Sequence, residues 1–257
     1  MNLSRYEINA IKTVAQPPAA NQVLAGLPAA ELLRLSPHLE PVELPLGRSV
    51  YEPGECMSHL FFPTSAIVAR VFPDYNGGST EVAVKGKEGV VGISTFLGGG
   101  STTCRAVVIG AGRAYRLHKL VMQREFERGG SLQYLLLRYA QALLTQISQN
   151  AVCNRHHSID QQLCRWLLLS LDRSSSDEVR MTQESIAMML GVRREGVTEA
   201  VGRLKDSALI QPRRGSITVL DRPGLEKRVC ECYSVVRRES DRLLAWKPRL
   251  RALSFAA

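Results

Sequence analysis

No stretch of this sequence reaches the roughly 18 uninterrupted apolar residues that a membrane span requires, and residues 1–20 lack the charged-then-apolar pattern of a secretory signal. A cytoplasmic protein with no membrane partner is therefore expected. Catalytic signatures are missing too: there is no G-x-S-x-G elbow, no H-E-x-x-H and no dinucleotide fingerprint, and the five histidines are not spaced as a triad. Gly98-Gly99-Gly100 reads as a flexible turn, since no Lys-Ser or Lys-Thr follows it as a phosphate loop requires. An enzyme is not expected. No internal repeat and no long low-complexity segment appear.

Cysteine pairing is equally sparse. Cys56, Cys104, Cys153, Cys164, Cys230 and Cys232 are scattered through a chain far longer than a small disulfide-stapled domain, which reads as reduced thiols. Cys230 and Cys232 lie close together, but a one-residue gap matches neither a zinc-ribbon nor an iron–sulfur spacing. His156-His157 has no carboxylate or cysteine pair beside it in sequence and reads as a surface or capping element. Neither a metal nor a cofactor is expected.

What is present is a basic, apolar-rich chain of two-domain size. The 257 residues are 45% hydrophobic, and 33 Lys plus Arg against 24 Asp plus Glu leave a net charge of +9. Such a field attracts polyanions, nucleic acid above all. Residues 1–22 end in Pro17-Pro18 and read as a short helix or mobile arm; Leu24 to Leu35 then give one or two short helices broken by Pro28 and Pro37. From Pro41 to Leu117, short Val-, Ile- and Phe-rich runs alternate with Gly, Pro and Asn. Strands are expected at 60–62, 66–72, 80–84, 104–109 and 113–117, with Asn76-Gly77-Gly78 as a hairpin turn.

Beyond Gly129-Gly130 the period becomes helical. Leu132, Leu136, Tyr139 and Leu143 form one stripe, and Leu137, Ala140, Leu144, Ile147 and Ala151 form another. A helix apolar on two faces covers two surfaces, here the β region and a dimer mate. A second amphipathic helix is expected over 159–171, then a serine-rich loop over 173–177.

Residues 181–209 read as helix, tight turn, helix. Thr182 suits an N-cap, Ile186, Ala187 and Leu190 form an apolar face, Gly191 closes the helix, and Val197, Val201 and Leu204 bury the inner side of the next one. The outer side offers Arg193, Arg194, Glu195, Thr198 and Glu199, polar groups at a helix start that can reach base edges in a major groove. Leu209-Ile210 then leads through Pro212-Arg213-Arg214-Gly215 into Ser216 to Leu220, a two-strand wing with a basic tip. Six basic residues (Arg193, Arg194, Arg203, Lys205, Arg213, Arg214) face three acidic ones between 193 and 215, and basic groups at the wing and helix ends suit phosphates.

Thr182-Gln183-Glu184-Ser185-Ile186-Ala187, Leu190-Gly191-Val192-Arg193-Arg194-Glu195, Val197, Arg203-Leu204 and Leu209-Ile210 together resemble the helix-turn-helix of Crp/Fnr transcription regulators. The likeness continues through Ile217 to Glu226 and Cys230-Glu231-Cys232-Tyr233. The resemblance implies an α+β fold: an N-terminal β-roll (jelly-roll, cyclic-nucleotide-binding-like) joined by a long dimerisation helix to a C-terminal winged helix-turn-helix. It divides the chain into an arm (1–22), the β-roll (23–128), the dimerisation helix (129–155), the DNA-binding domain (156–235) and an extension (236–257).

It also implies base contacts from Arg194, Glu195, Thr198 and Glu199, and phosphate contacts from Thr182, Gln183, Arg193, Arg213 and Arg214. Partners implied are double-stranded DNA, a second copy of the chain, RNA polymerase and an unidentified small-molecule effector. Many relatives carry Arg where this chain has Glu199, so a different half-site is expected. At the family's nucleotide pocket the chain has Gly89-Val90-Val91-Gly92 in place of a Gly-Glu pair, and Thr103-Cys104-Arg105-Ala106 around the phosphate element. Val90, Val91, Arg105 and Ala106 would line such a pocket without its ribose carboxylate, so cyclic AMP is not the expected effector. A thiol-redox signal through Cys104 or Cys153, or no effector at all, stands as the alternative.

Overall fold

Alternating side chains build the first half of the molecule, and their two faces find different partners. The computed structural model describes residues 16–73 and 78–245; the expected N-terminal arm up to residue 15 and the turn residues Asn76 and Gly77 lie outside them. Two short helices, α1 (Gln22–Ala25) and α2 (Ala29–Leu35), separated at Pro28 as expected, precede seven strands. These are β1 (Glu40–Leu44), β2 (Ser49–Tyr51), β3 (His59–Pro63), β4 (Ile67–Pro73), β5 (Ser79–Lys85), β6 (Arg105–Gly110) and β7 (Gly112–His118). All pair antiparallel, as a sheet of order β1-β7-β3 and a sheet of order β2-β6-β4-β5.

The five expected strands are β3 to β7, each shifted by a residue or so at its ends. β1 and β2 escaped the sequence reading: β1 buries one side chain, Leu44, and β2 is three residues long. Leu44, Tyr51, Val68, Ala106, Val108 and Ala114 meet between the two sheets. On the opposite face of β4, Ile67, Ala69 and Val71 join Val84 and Ile109 in a core shared with the second half of the chain. Strands covered on both sides read as near-continuous apolar runs.

Helix α3 (Lys119–Glu127) leads to α4 (Ser131–His156), 26 residues long. Its first turn is capped from a distance: the Glu31 carboxylate accepts from the backbone N–H groups of Ser131 (3.2 Å) and Leu132 (3.0 Å). Leu132, Leu136, Tyr139 and Leu143 are buried against the β domain, as expected of the first stripe. The second stripe is only partly covered among the described residues: Leu137 and Leu144 are 47% and 58% exposed and Ala151 is exposed, while Ala140 and Ile147 are half-buried.

After α4 come α5 (Ile159–Leu171), β8 (Glu178–Val179), α6 (Gln183–Leu190), α7 (Arg194–Asp206), β9 (Ile210–Arg213), β10 (Ser216–Val219), α8 (Arg222–Arg228) and α9 (Glu231–Leu244). A Ser158–Gln161 capping box starts α5. Every residue of α5 from Gln162 to Leu171 is buried, because the helix is wedged between the β sheet and the helix pair α6–α7. Polar contacts cross the same junction: Trp166 Nε1 donates to Glu81 Oε2 at 3.2 Å, Asn150 donates to the Val82 carbonyl at 2.9 Å, and the buried Arg173 forms an ion pair with the half-buried Glu88 at 2.7 Å. Burial pushes the Glu81 carboxyl up, with Trp166 pulling against it. Helix α9 runs across the expected break between residues 235 and 236, since Tyr233, Val236 and Leu243 lie on its one buried face. Among the described residues, no helix is long and apolar enough to cross a membrane.

Candidate nucleic-acid interface

Helices α6 and α7 are set against each other by a single left-handed residue. Thr182 caps α6 as expected, its hydroxyl accepting from the Ser185 N–H at 3.1 Å. Gly191 ends it at φ 67 and ψ 34 and donates back into the last turn. A β-carbon on Gly191 would meet Thr80 Oγ1 at 2.8 Å, so the turn needs glycine for space as well as for its backbone. Three residues later α7 begins, with Arg193 as its extended N-cap.

The two faces of α7 divide as the sequence predicts. Val197, Ala200, Val201 and Leu204 are buried; Arg194, Glu195, Thr198 and Glu199 are exposed. Arg193 and Thr182 are exposed beside them, with Gln183 half-buried. Several members of the set are already engaged within the chain. Thr198 Oγ1 donates to Gln183 Oε1 at 2.9 Å, which stitches α7 to α6, and Arg194 lies 3.3 Å from Glu184. Exposed pairs of this kind are weak and exchange readily for a stronger partner.

The wing forms as β9 and β10, registered Ser216 opposite Arg213, with Arg214 and Gly215 (φ 79) as the turn. β8 adds a third strand on the far side of β10, directly after the expected serine-rich loop. Arg213 and Arg214 are exposed at the tip. Arg203, counted with the free basic residues from sequence, is held instead: its guanidinium binds both oxygens of Asp160 on α5, at 2.6 and 2.9 Å, and lies 3.6 Å from Glu199. The hydrogen bond to Asp160 raises its affinity for the proton. It braces α7 against α5 while its side chain stays exposed.

The four residues set against the effector do not converge. Val91 and Ala106 pack in the core between the sheets, Val90 belongs to the core beneath α4, and Arg105 is exposed and paired with Glu52 at 2.9 Å. The Tyr139 ring fills the space above Gly89, and its hydroxyl donates to the Val90 carbonyl at 2.9 Å. A cleft of about 700 Å³ opens elsewhere, between α1, the end of α5 and α9, lined by Lys87, Glu88, Asp172, Arg173 and Arg237 among others. Cys104 lies buried in the β domain, accepting from Arg70 Nε at 2.9 Å.

His156 is exposed and His157 is the C-cap residue of α4, in line with the surface or capping reading, but its surroundings differ from what the sequence suggests. His157 is not isolated: folding brings it beside Cys232 and Glu231, with Cys153 and Cys230 adjoining. Cys230, Glu231 and Cys232 come from the start of α9, some 75 positions away in sequence, which no local spacing could reveal, while Cys153 lies four positions earlier on α4.

Residues 161–228 match the model of the Crp-like helix-turn-helix domain. Over 215 residues the chain is 23% identical to a CRP-like cAMP-activated global transcriptional regulator of Mycobacterium tuberculosis, covering 80% of this chain and 95% of that protein. Its fold is shared with a transcriptional regulator of the crp/fnr family from Eubacterium rectale (TM-score 0.64, 16% identity, 80% of this chain and 96% of the other). FixK2 from Bradyrhizobium japonicum shares it as well (TM-score 0.62, 14% identity, 75% and 98%). The α6–α7 pair and its wing form a Crp-like helix-turn-helix domain, and the chain that carries them behind a β domain and one long helix is similar in sequence and fold to Crp/Fnr transcription regulators.

Proposed function

We propose that the protein is a homodimeric, sequence-specific regulator that lays α7 in the major groove of double-stranded DNA. The carrying observation is the polar face of α7, four side chains at its start that are exposed among the described residues. In this reading Arg194, Glu195, Thr198 and Glu199 approach base edges, Arg194 having the geometry for a guanine and a carboxylate for cytosine's amino group. Thr182, Gln183, Arg193, Arg213 and Arg214 hold phosphates, fixing register without reading sequence. Residues 23–128 serve as the β domain, 129–155 as the dimer helix and 156 onward as the DNA-binding part, with the Leu137–Leu144 stripe meeting its two-fold mate.

Selection of bound DNA from a random library tests this. A dimer with two α7 helices enriches an inverted repeat whose half-sites lie about one helical turn apart, roughly 10 base pairs. Enrichment of no motif, or of a single unrepeated one, contradicts it.

For the sensor half, the filled space above Gly89 and the pairing of Arg105 with Glu52 favour a regulator that does not respond to cyclic AMP. Calorimetry with cyclic AMP is expected to give no heat of binding; saturable binding overturns this part. RNA polymerase is the protein partner that the family's role implies.

A further inference from the structure

The last turn of α4 and the first turn of α9 meet side by side, and the junction is made of Cys153, His157, Cys230 and Cys232. Cys153 lies in the last turn of α4, and His157 is its extended C-cap residue, whose N–H donates to the Cys153 carbonyl at 3.1 Å. Cys230 and Cys232 flank Glu231 where the chain passes from an extended N-cap into helix. The three thiols are buried together, forming a cluster of their own with Val229 as the apolar neighbour.

Two of their spacings match the edges of a coordination tetrahedron. Cys153 Sγ lies 3.6 Å from Cys230 Sγ, Cys232 Sγ lies 3.6 Å from His157 Nδ1, and all four ligand atoms fall within 4.8 Å of one another. Zinc bonds of about 2.3 Å to sulfur and about 2.0–2.1 Å to nitrogen give tetrahedral edges of about 3.8 Å between sulfurs and about 3.6 Å between sulfur and nitrogen. A multi-iron cluster spreads its ligands over separate metal atoms and needs them farther apart than this.

A second observation is independent of the spacing. His157 Nε2 lies 3.3 Å from Glu231 Oε1, the carboxylate–histidine arrangement that fixes the ring and leaves Nδ1, the nitrogen beside Cys232, free to bind a metal. Three thiolates, a neutral imidazole and a divalent ion sum to one negative charge. A disulfide between Cys153 and Cys230 would use two of the groups and leave the orientation of Cys232, His157 and Glu231 without a purpose.

We propose that Cys153, His157, Cys230 and Cys232 bind one zinc ion, displacing the three thiol protons to solvent and pinning the end of α4 to the start of α9. The ion would thereby fix the closing helix of the DNA-binding part to the helix that carries the exposed dimer stripe.

The test uses the untagged full chain, purified in reductant. Elemental analysis should find one zinc per chain. After chelation, titration with cobalt(II) should saturate at one equivalent, with a thiolate-to-cobalt charge-transfer band and the intense visible band of a tetrahedral site. Cys232→Ser should lose both, and Cys56→Ser, at an exposed thiol outside the cluster, should keep both. Substoichiometric zinc with no thiolate–cobalt band in folded, reduced wild-type protein overturns the proposal, as does a Cys153–Cys230 disulfide in protein prepared with zinc present. The wild-type readings decide the matter even where a variant fails to fold.

Discussion

Replacing Leu144 by Glu puts a charge in the middle of the partly covered stripe of α4. The side chain retains 58% of its surface in the single chain, and Leu137, two turns earlier on the same stripe, retains 47%. Burying a whole leucine side chain is worth about 1.5–3 kcal/mol, so closing the remaining surface of Leu144 contributes roughly 1.2 kcal/mol per subunit. Two-fold symmetry counts it twice. Leu144→Glu therefore forfeits about 2.5 kcal/mol, nearly two decades in the dimer dissociation constant, before any repulsion between facing carboxylates. Sedimentation equilibrium measures this directly, and far-ultraviolet circular dichroism should show the helix content unchanged, because the site is open to water in the monomer. An unaltered dimer constant, or a wild-type chain that stays monomeric at micromolar concentration, refutes the assignment of this stripe to the dimer.

Arg213→Ala and Arg214→Ala should each reduce the slope of log affinity for DNA against log salt by about 1. Arg203→Ala should leave that slope alone and lower the thermal midpoint instead, since its guanidinium is spent on Asp160; a changed slope would return it to the DNA face. Gly191→Ala should cost at least ~1–2 kcal/mol in urea unfolding from its positive φ alone, with the contact to Thr80 adding to it; a neutral result contradicts the turn geometry. Burial raises the Glu81 carboxyl above its ordinary 4.5, so its contribution to stability is full below that value and is lost as pH rises through the raised one. Glu81→Gln keeps an acceptor for Trp166 and removes the titration, so its stability relative to wild type should climb between acid and neutral pH. A difference that is flat with pH argues against a buried, proton-linked Glu81.

What could be read from the sequence follows from the range of the interactions involved. The turn at Gly191, the cap at Thr182 and the buried faces of α6 and α7 depend on residues within a few positions of one another, and local pattern exposes them. The outward face of α7 was legible for the same reason, since whatever the inner stripe does not use must point away. β1 was hidden because Glu40, Pro41 and Glu43 dilute its apolar signal, and its place is set by pairing with β7 some 70 residues on. The brace between Arg203 and Asp160 spans two helices, and charge counting cannot tell a braced cation from a free one. The Cys153–His157 pair had a visible clue, two ligand-type residues one helical turn apart. Its partners arrive only when α9 folds back along α4.

The most direct test of the account is the affinity of Arg194→Ala against wild type for DNA selected by the wild-type protein, at matched salt. An Arg194 that pairs with a base predicts a loss of about 1–3 kcal/mol, confined to the selected site, with relaxed preference at one position of each half-site and unchanged binding to random sequence. Equal affinity of the two proteins for the selected site would contradict the placement of α7 in the major groove.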